Sequence, residues 1–297
     1  METRTDPAAR PDFIIIGAMK CATSTLHEQL AMQPGFFMTE PKEPNFFSDD
    51  AVYANGLGWY AELFREARPG QLKGESSTHY SKLPTYPEAI SRLASFCPDV
   101  KLIYVMRHPV NRLISHYIHE WSQGVIDCDI DKAVHAFPEL VDYGRYSMQL
   151  EPYLNTFGSA AVLPLFAERL RCDPVGELQK VFGFLGVQGE PVWHQEISSN
   201  VSAERIRVCG WRDAIVENPV ARGLRRALVP KRIRTWVRGL WAMKERPALS
   251  PENLSYVEQI FDCDLQELGE RLGVELNCRN FKETVLSRKY LTWGVER

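Results

Sequence analysis

The chain has 297 residues, 44% of them hydrophobic, with Lys+Arg 35 against Asp+Glu 38 and a formal net charge of -3. That is enough apolar material for the core of one large domain, and it excludes an intrinsically disordered chain. A near-neutral balance excludes nucleic acid binding by bulk charge, so any anionic partner must meet a local basic patch.

Residues 1–11 are polar and read as a flexible N-terminus. The first apolar run, Phe13 to Met19, is too short to span a membrane and has no small-residue cleavage pattern, so a cytoplasmic protein without a transmembrane segment is expected. Seven cysteines, at 21, 97, 128, 172, 209, 263 and 278, are scattered with no CxxC pair, which predicts reduced, mostly buried thiols and no zinc knot.

Phe13-Ile14-Ile15-Ile16 ending at Gly17 is a β-branched, wholly apolar run of the kind that forms a buried parallel strand. A helix follows from about Ser24, with Leu26 and Leu30 on one face, and Pro34-Gly35 ends it. Residues 38–50 hold prolines and no period and are expected as a loop, followed by a short helix over 57–64. Lys73 to Tyr80 reads as a strand end and turn, and 87–96 as a helix. The clearest second strand is 101–106, running into Arg107-His108-Pro109 and a helix over 110–122. Residues 162–166 predict a third strand, with Pro164 marking an edge or strand end. An amphipathic helix with Val175, Leu178, Val181, Phe182 and Leu185 on one face follows over 173–185. A last helix is capped by Ser250 and runs to about Leu272.

Strands alternating with helices imply an α/β fold with a central parallel sheet between helical layers. The whole of 1–297 is expected as one P-loop-like three-layer α/β/α domain with a helical C-terminal segment. Residues 213–247 are expected as a basic helical insertion or lid: between Arg222 and Arg246 nine basic residues interleave with apolar ones against one acid, Glu245. That segment is a candidate homodimer surface or a dock for an anionic partner or membrane.

The loop Gly17-Ala-Met-Lys-Cys-Ala-Thr-Ser24 departs from the phosphate-binding pattern GxxxxGK[ST]. Ala22 replaces the second glycine, Thr23 replaces the lysine, and the loop's lysine is Lys20, near the strand end. The strand, loop and helix N-terminus still suit an anion. This stretch resembles the 5′-phosphosulfate loop of sulfotransferases that use 3′-phosphoadenosine 5′-phosphosulfate, especially the heparan-sulfate and carbohydrate branch. The resemblance implies that Lys20, Cys21, Ala22, Thr23, Ser24 and Thr25 hold the 5′-phosphosulfate, with Lys20 on the bridging oxygen and no metal required. A cation at that oxygen is worth most as the bond to sulfur breaks and charge builds there.

The same resemblance makes Arg107 and Ser115, eight residues apart, the 3′-phosphate motif. The spacing stands by itself too: in a helix from Val110, Ser115 lies about one and a half turns in, at 3.6 residues per turn. By resemblance Glu43, ahead of Phe46-Phe47, is the catalytic base, His79 a reserve base, Tyr146 a nucleotide neighbour, and Lys244 and Arg246 a late loop on the adenosine phosphates. Ser76 stands where carbohydrate-sulfating relatives often carry a lysine, leaving Lys42 or a substrate group to supply that charge. The acceptor implied is a carbohydrate or small molecule. Two other classes remain open: a kinase with a degenerate phosphate loop, and a non-catalytic nucleotide-binding module docking through 222–246.

Overall fold

The computed structural model describes residues 10–195, 243, 245–288 and 291–294. Five strands, β1 Phe13–Gly17, β2 Phe36–Met38, β3 Leu72–Ser76, β4 Lys101–Met106 and β5 Val162–Phe166, make one parallel sheet in the order β2-β3-β1-β4-β5. Helices flank it as α1 Thr23–Ala31, α2 Asp50–Tyr53, α3 Gly56–Glu62, α4 Glu88–Phe96, α5 Pro109–Gln123, α6 Ile130–Ala136, α7 Glu139–Asp142, α8 Tyr146–Phe157, α9 Ala167–Cys172 and α10 Pro174–Leu185. Two C-terminal helices, α11 Pro251–Leu272 and α12 Phe281–Ser287, complete the three-layer α/β/α arrangement.

β1 and β4 are central because they are apolar on both faces. Phe13, Ile14, Ile15 and Ile16 are fully buried, as are Leu102 to Met106. Each such aliphatic side chain contributes about 1.5–3 kcal/mol by leaving water. β5 is an edge strand, and so tolerates Pro164, which has no N–H to give the ladder. The expected strand-to-helix units are present. Ser250 caps α11 by accepting from the Asn253 amide, and Asp173 caps α10 by accepting from the Gly176 amide. One expectation fails: Val175 is exposed rather than on the buried face of α10, because it lies in the first turn, before that helix packs against the sheet.

The basic segment 213–247 lies outside the described residues except for 243 and 245–247, which are not helical. Lys244 also lies outside them. Among the described residues no helix is long and apolar enough to cross a membrane.

Gly17 is required by crowding at the sheet's C-terminal end. A Cβ there would sit 2.0 Å from Ser81 Oγ and 2.9 Å from Tyr104 Cε2. Ser81 is held in that place by donating to the Ile16 carbonyl at 2.6 Å. Gly17→Ala is therefore expected to cost about 1–3 kcal/mol, as overpacked cores do. Urea denaturation of the two proteins measures it, and equal midpoints would refute the crowding.

Candidate active site

The C-terminal ends of the inner parallel strands open into one cleft, the usual place for a ligand in an open α/β sheet. Its volume is about 680 Å³, and Lys20, Ala22, Thr23, Ser24, Thr25, Glu43, His79, Arg107, Ser115 and Arg246 line it. Residues far apart in sequence are thus brought together on one cleft.

The loop from β1 to α1 forms the floor. Lys20 and Ala22 both take left-handed backbone angles, φ 68° and 67°, where glycine is more usual. Ala22 is the N-cap of α1, with no side-chain cap and no acid in the first turn. The first amides of that helix therefore lack side-chain acceptors, and its positive end faces the cleft. An anionic group fits there without competition from a protein carboxylate.

Cys21 and Tyr146, expected at the nucleotide, do not line the cleft. Both are fully buried beneath it. The Tyr146 hydroxyl donates to the Arg107 carbonyl at 2.5 Å, accepts from the Arg107 amide at 3.2 Å and lies 3.7 Å from Cys21 Sγ. It thereby ties the loop after β1 to the end of β4. Burial pushes the Cys21 thiol up to about 11, which keeps it protonated and unreactive at neutral pH. Arg107 adds a second tie, its Nη1 donating to the Lys20 carbonyl at 3.3 Å. Arg246 reaches α5 by donating to Asn111 Oδ1 at 3.3 Å, which seats the late loop on the Arg107 side.

Glu43 stands on a loop docked to the end of β3. Its amide donates to the Ser76 carbonyl at 2.9 Å, and the Asn45 amide to Ser77 Oγ at 3.1 Å. Glu43 and Asn45 have φ of 60° and 54°, a costly conformation of the kind that gathers at functional sites. The aromatic cluster of Phe46, Phe47, Tyr60 and Tyr80 anchors the loop, with Phe46 stacked on Tyr60 at 4.7 Å. Beneath it, buried Glu75 accepts from the hydroxyls of Tyr60, Tyr80 and Ser77. The Glu43 carboxylate accepts from Lys42 Nζ at 2.6 Å and Thr78 Oγ1 at 3.1 Å. Burial alone would raise its pKa, but Lys42, Lys82 and Thr78 outweigh burial and hold the carboxyl below its ordinary range.

His79 also lines the cleft, stacked on Tyr86 at 4.7 Å. Burial and then Lys82 push it down to about 4, so it is a neutral and weakly basic imidazole at pH 7. His108 bonds the Cys278 carbonyl at 2.9 Å and packs on Phe281, outside the cleft. Ser76 is fully buried, with its Oγ 2.8 Å from His27 Nδ1. Lys42 is engaged by Glu43 and does not line the cleft.

Sequence reasoning missed Glu28, Thr78, Lys82, Ile118, His119, Glu120 and Arg171, which also line the cleft. Glu120 is the end of a row along α5: Arg112 Nη1 lies 3.4 Å from His116 Nδ1, and His116 Nε2 lies 3.3 Å from Glu120 Oε1. Burial pushes His116 down to about 4, so we read a neutral ring donating Nε2–H to an ionised Glu120. The i, i+4, i+8 spacing of 112, 116 and 120 was the available signal. A second, more open groove of about 710 Å³ along α11 presents Glu258, Asp262 and Glu275. No group of three or more His, Cys, Asp or Glu able to hold a metal ion occurs among the described residues.

The sulfotransferase domain pattern matches residues 10–268. The chain belongs to the sulfotransferase domain family. It is 34% identical over 198 residues to heparan sulfate glucosamine 3-O-sulfotransferase 3B1 of Mus musculus, covering 60% of this chain and 46% of that one. It is 33% identical over 189 residues to heparan sulfate glucosamine 3-O-sulfotransferase 6 of Homo sapiens, covering 60% and 53%. The chain spans about half the length of the curated relatives it matches. Among solved structures, a sulfotransferase from Alicyclobacillus acidocaldarius superposes with a TM-score of 0.64 at 22% identity, over 90% of this chain and 97% of that one. Mouse sulfotransferase SULT7A1 complexed with PAP gives 0.54 at 16% identity, over 94% and 89%. At these identities the structural likeness establishes the sulfotransferase fold.

Proposed function

We propose that this sulfotransferase takes 3′-phosphoadenosine 5′-phosphosulfate as donor and moves its sulfuryl group to a hydroxyl or amine of a carbohydrate-like or small-metabolite acceptor. The observation that carries the reading is the convergence of Lys20, Glu43, and the Arg107–Ser115 pair on one cleft, from three separate parts of the chain. The donor supplies a sulfuryl group on a phosphate leaving group. Lys20 and the amides opening α1 hold the 5′ end, while Arg107, Ser115 and Arg246 take the 3′-phosphate. Glu43 accepts the proton that the attacking atom loses as it bonds to sulfur. Lys20 stabilises the electron pair left on the bridging oxygen when its bond to sulfur breaks, leaving 3′-phosphoadenosine 5′-phosphate. None of these roles calls for a metal ion.

Similarity to proteins named for heparan sulfate glucosamine supports a sugar hydroxyl as the acceptor group. Incubation with donor labelled in the sulfuryl group and a panel of glycans, amino sugars and hydroxylated metabolites tests the reading. Transfer of label to a member of the panel is expected; a protein that binds neither the donor nor its desulfated product refutes it.

Ser115→Ala separates nucleotide binding from chemistry. Calorimetry is expected to show affinity for the desulfated nucleotide falling about tenfold, the lower worth of a hydrogen bond to a charged group. Turnover at saturating donor should stay within about threefold of wild type, because the contact is the same in ground and transition states. A loss in turnover with unchanged affinity would remove Ser115 from the 3′-phosphate site.

A further inference from the structure

Lys82 is the feature of the cleft that neither the motifs nor the fold accounts for. It follows the short 3-10 turn Thr78–Ser81, and its backbone is fixed on both sides. Its amide donates to the His79 carbonyl at 3.2 Å, its carbonyl accepts from the Tyr86 amide at 3.1 Å, and the Leu83 amide donates to Gln149 Oε1 at 2.8 Å. The side chain lines the cleft yet is only 8% exposed. Lysine is rarely buried to that degree without a partner.

No hydrogen bond or ion pair holds the Lys82 ammonium among the described residues; its recorded contact is the Tyr143 ring, 5.7 Å from Nζ to centroid. At that distance a cation–π contact is weak and leaves the N–H donors without acceptors. Burial pushes Lys82 down to about 8, while Glu43 and Glu120 support its charge and Arg112 and Lys20 oppose it. The group is therefore still mostly charged at neutral pH. A buried, positioned, unpaired cation in an open cleft is the arrangement an anionic ligand group completes.

Its place in the cleft says which anion. Thr78, on the turn that leads into Lys82, donates to Glu43, and Glu43 supports the Lys82 charge ahead of Glu120, so Lys82 stands beside the base. The atom whose proton Glu43 takes is the atom that attacks sulfur, so the anion nearest that base is the sulfuryl group. Resting on the donor proposed above, we infer that Lys82 is a further catalytic residue, gripping the sulfuryl oxygens while Lys20 attends the bridging oxygen. No proton moves to or from Lys82: it stabilises charge as sulfur passes from one oxygen to the acceptor atom.

The two nucleotides, with and without the sulfuryl group, isolate this contact, since they share every other group. Calorimetric titration of wild type, Lys82→Met and Lys82→Gln with each of them reads it directly. Neither replacement breaks a hydrogen bond or ion pair made by the described residues, so a large fall in melting temperature is not expected, and thermal melts check this before titration. The expected result is that the ratio of donor affinity to desulfated-product affinity falls about 10- to 100-fold in both variants, the worth of one hydrogen bond to a charged group. Affinity for the desulfated product should stay near wild type. An unchanged ratio, whether because both affinities fall alike or because neither moves, overturns the role of Lys82 and leaves the donor assignment standing. Wild type that binds neither nucleotide overturns the donor assignment itself.

Discussion

Lys20→Ala should lower turnover by about three orders of magnitude, the effect of removing a group aimed at charge that develops in the transition state. Affinity for 3′-phosphoadenosine 5′-phosphate should change little by comparison. The separation follows from where the charge sits. In the proposed assignment nucleotide affinity draws on the uncapped start of α1, Arg107, Ser115 and Arg246, all of which survive the substitution. Lys20 itself takes a left-handed conformation and its carbonyl accepts from Arg107 Nη1, so its position depends on the fold and not on the bound nucleotide. Single-turnover kinetics beside calorimetric titration measures both quantities. Turnover within about threefold of wild type would take the leaving-oxygen role away from Lys20.

Glu43→Gln should cost about 10²- to 10⁴-fold in transfer, the range for loss of a positioned general base, while the nucleotide still binds. The amide keeps the shape and can still accept from Thr78, so a folding defect is not expected; circular dichroism and a thermal melt check this. The pH profile adds a signed prediction. Burial pushes the Glu43 carboxyl up, but Lys42, Lys82 and Thr78 prevail, and its pKa lies below the usual carboxylate range. The base form therefore persists as pH falls from neutrality toward that range, and the acid limb of the wild-type rate should lie below an ordinary glutamate's pKa of about 4.3. Removing the ammonium with Lys42→Met should move that limb upward, because Lys42 both pairs with and bonds Glu43 at 2.6 Å. Full activity in Glu43→Gln would shift the base to His79, which lines the same cleft as a neutral imidazole with a pKa of about 4.

The placement of the residues proposed for the donor half is legible in their spacing, while their roles come from the family resemblance. Gly17, Lys20 and Ser24, and likewise Arg107 and Ser115, are close in sequence. A strand followed by a turn and a helix leaves few geometries for such spacings, so local order implies local placement. The strands at 13–17, 101–106 and 162–166 were equally plain, since a buried parallel strand must be apolar on both faces. β2 escaped notice because three residues, Phe36–Met38, make too short a run to carry a period. The resemblance puts Tyr146 beside the nucleotide, whereas its hydroxyl is spent on Arg107 and Cys21 below the cleft. Ser76 left an unexplained gap in charge because a sequence does not show that this side chain faces His27 instead of the cleft.

By itself, then, the sequence determined the class of fold and a strand–loop–helix suited to an anion, because each is a pattern written within a few residues, while the roles proposed for the arginine–serine pair and for the acid ahead of Phe46-Phe47 come from the family resemblance. The tertiary structure decided which of these share a cleft and what else joins them. Placing β1 between β3 and β4 brings the Lys20 loop between the wall of Glu43, Thr78 and Lys82 and the helix of Ser115 and Glu120. Contacts of that kind join residues tens of positions apart. They depend on burial and strand order rather than on any local propensity, which is why Lys82, an ordinary lysine in the chain, becomes a buried cation only in the fold.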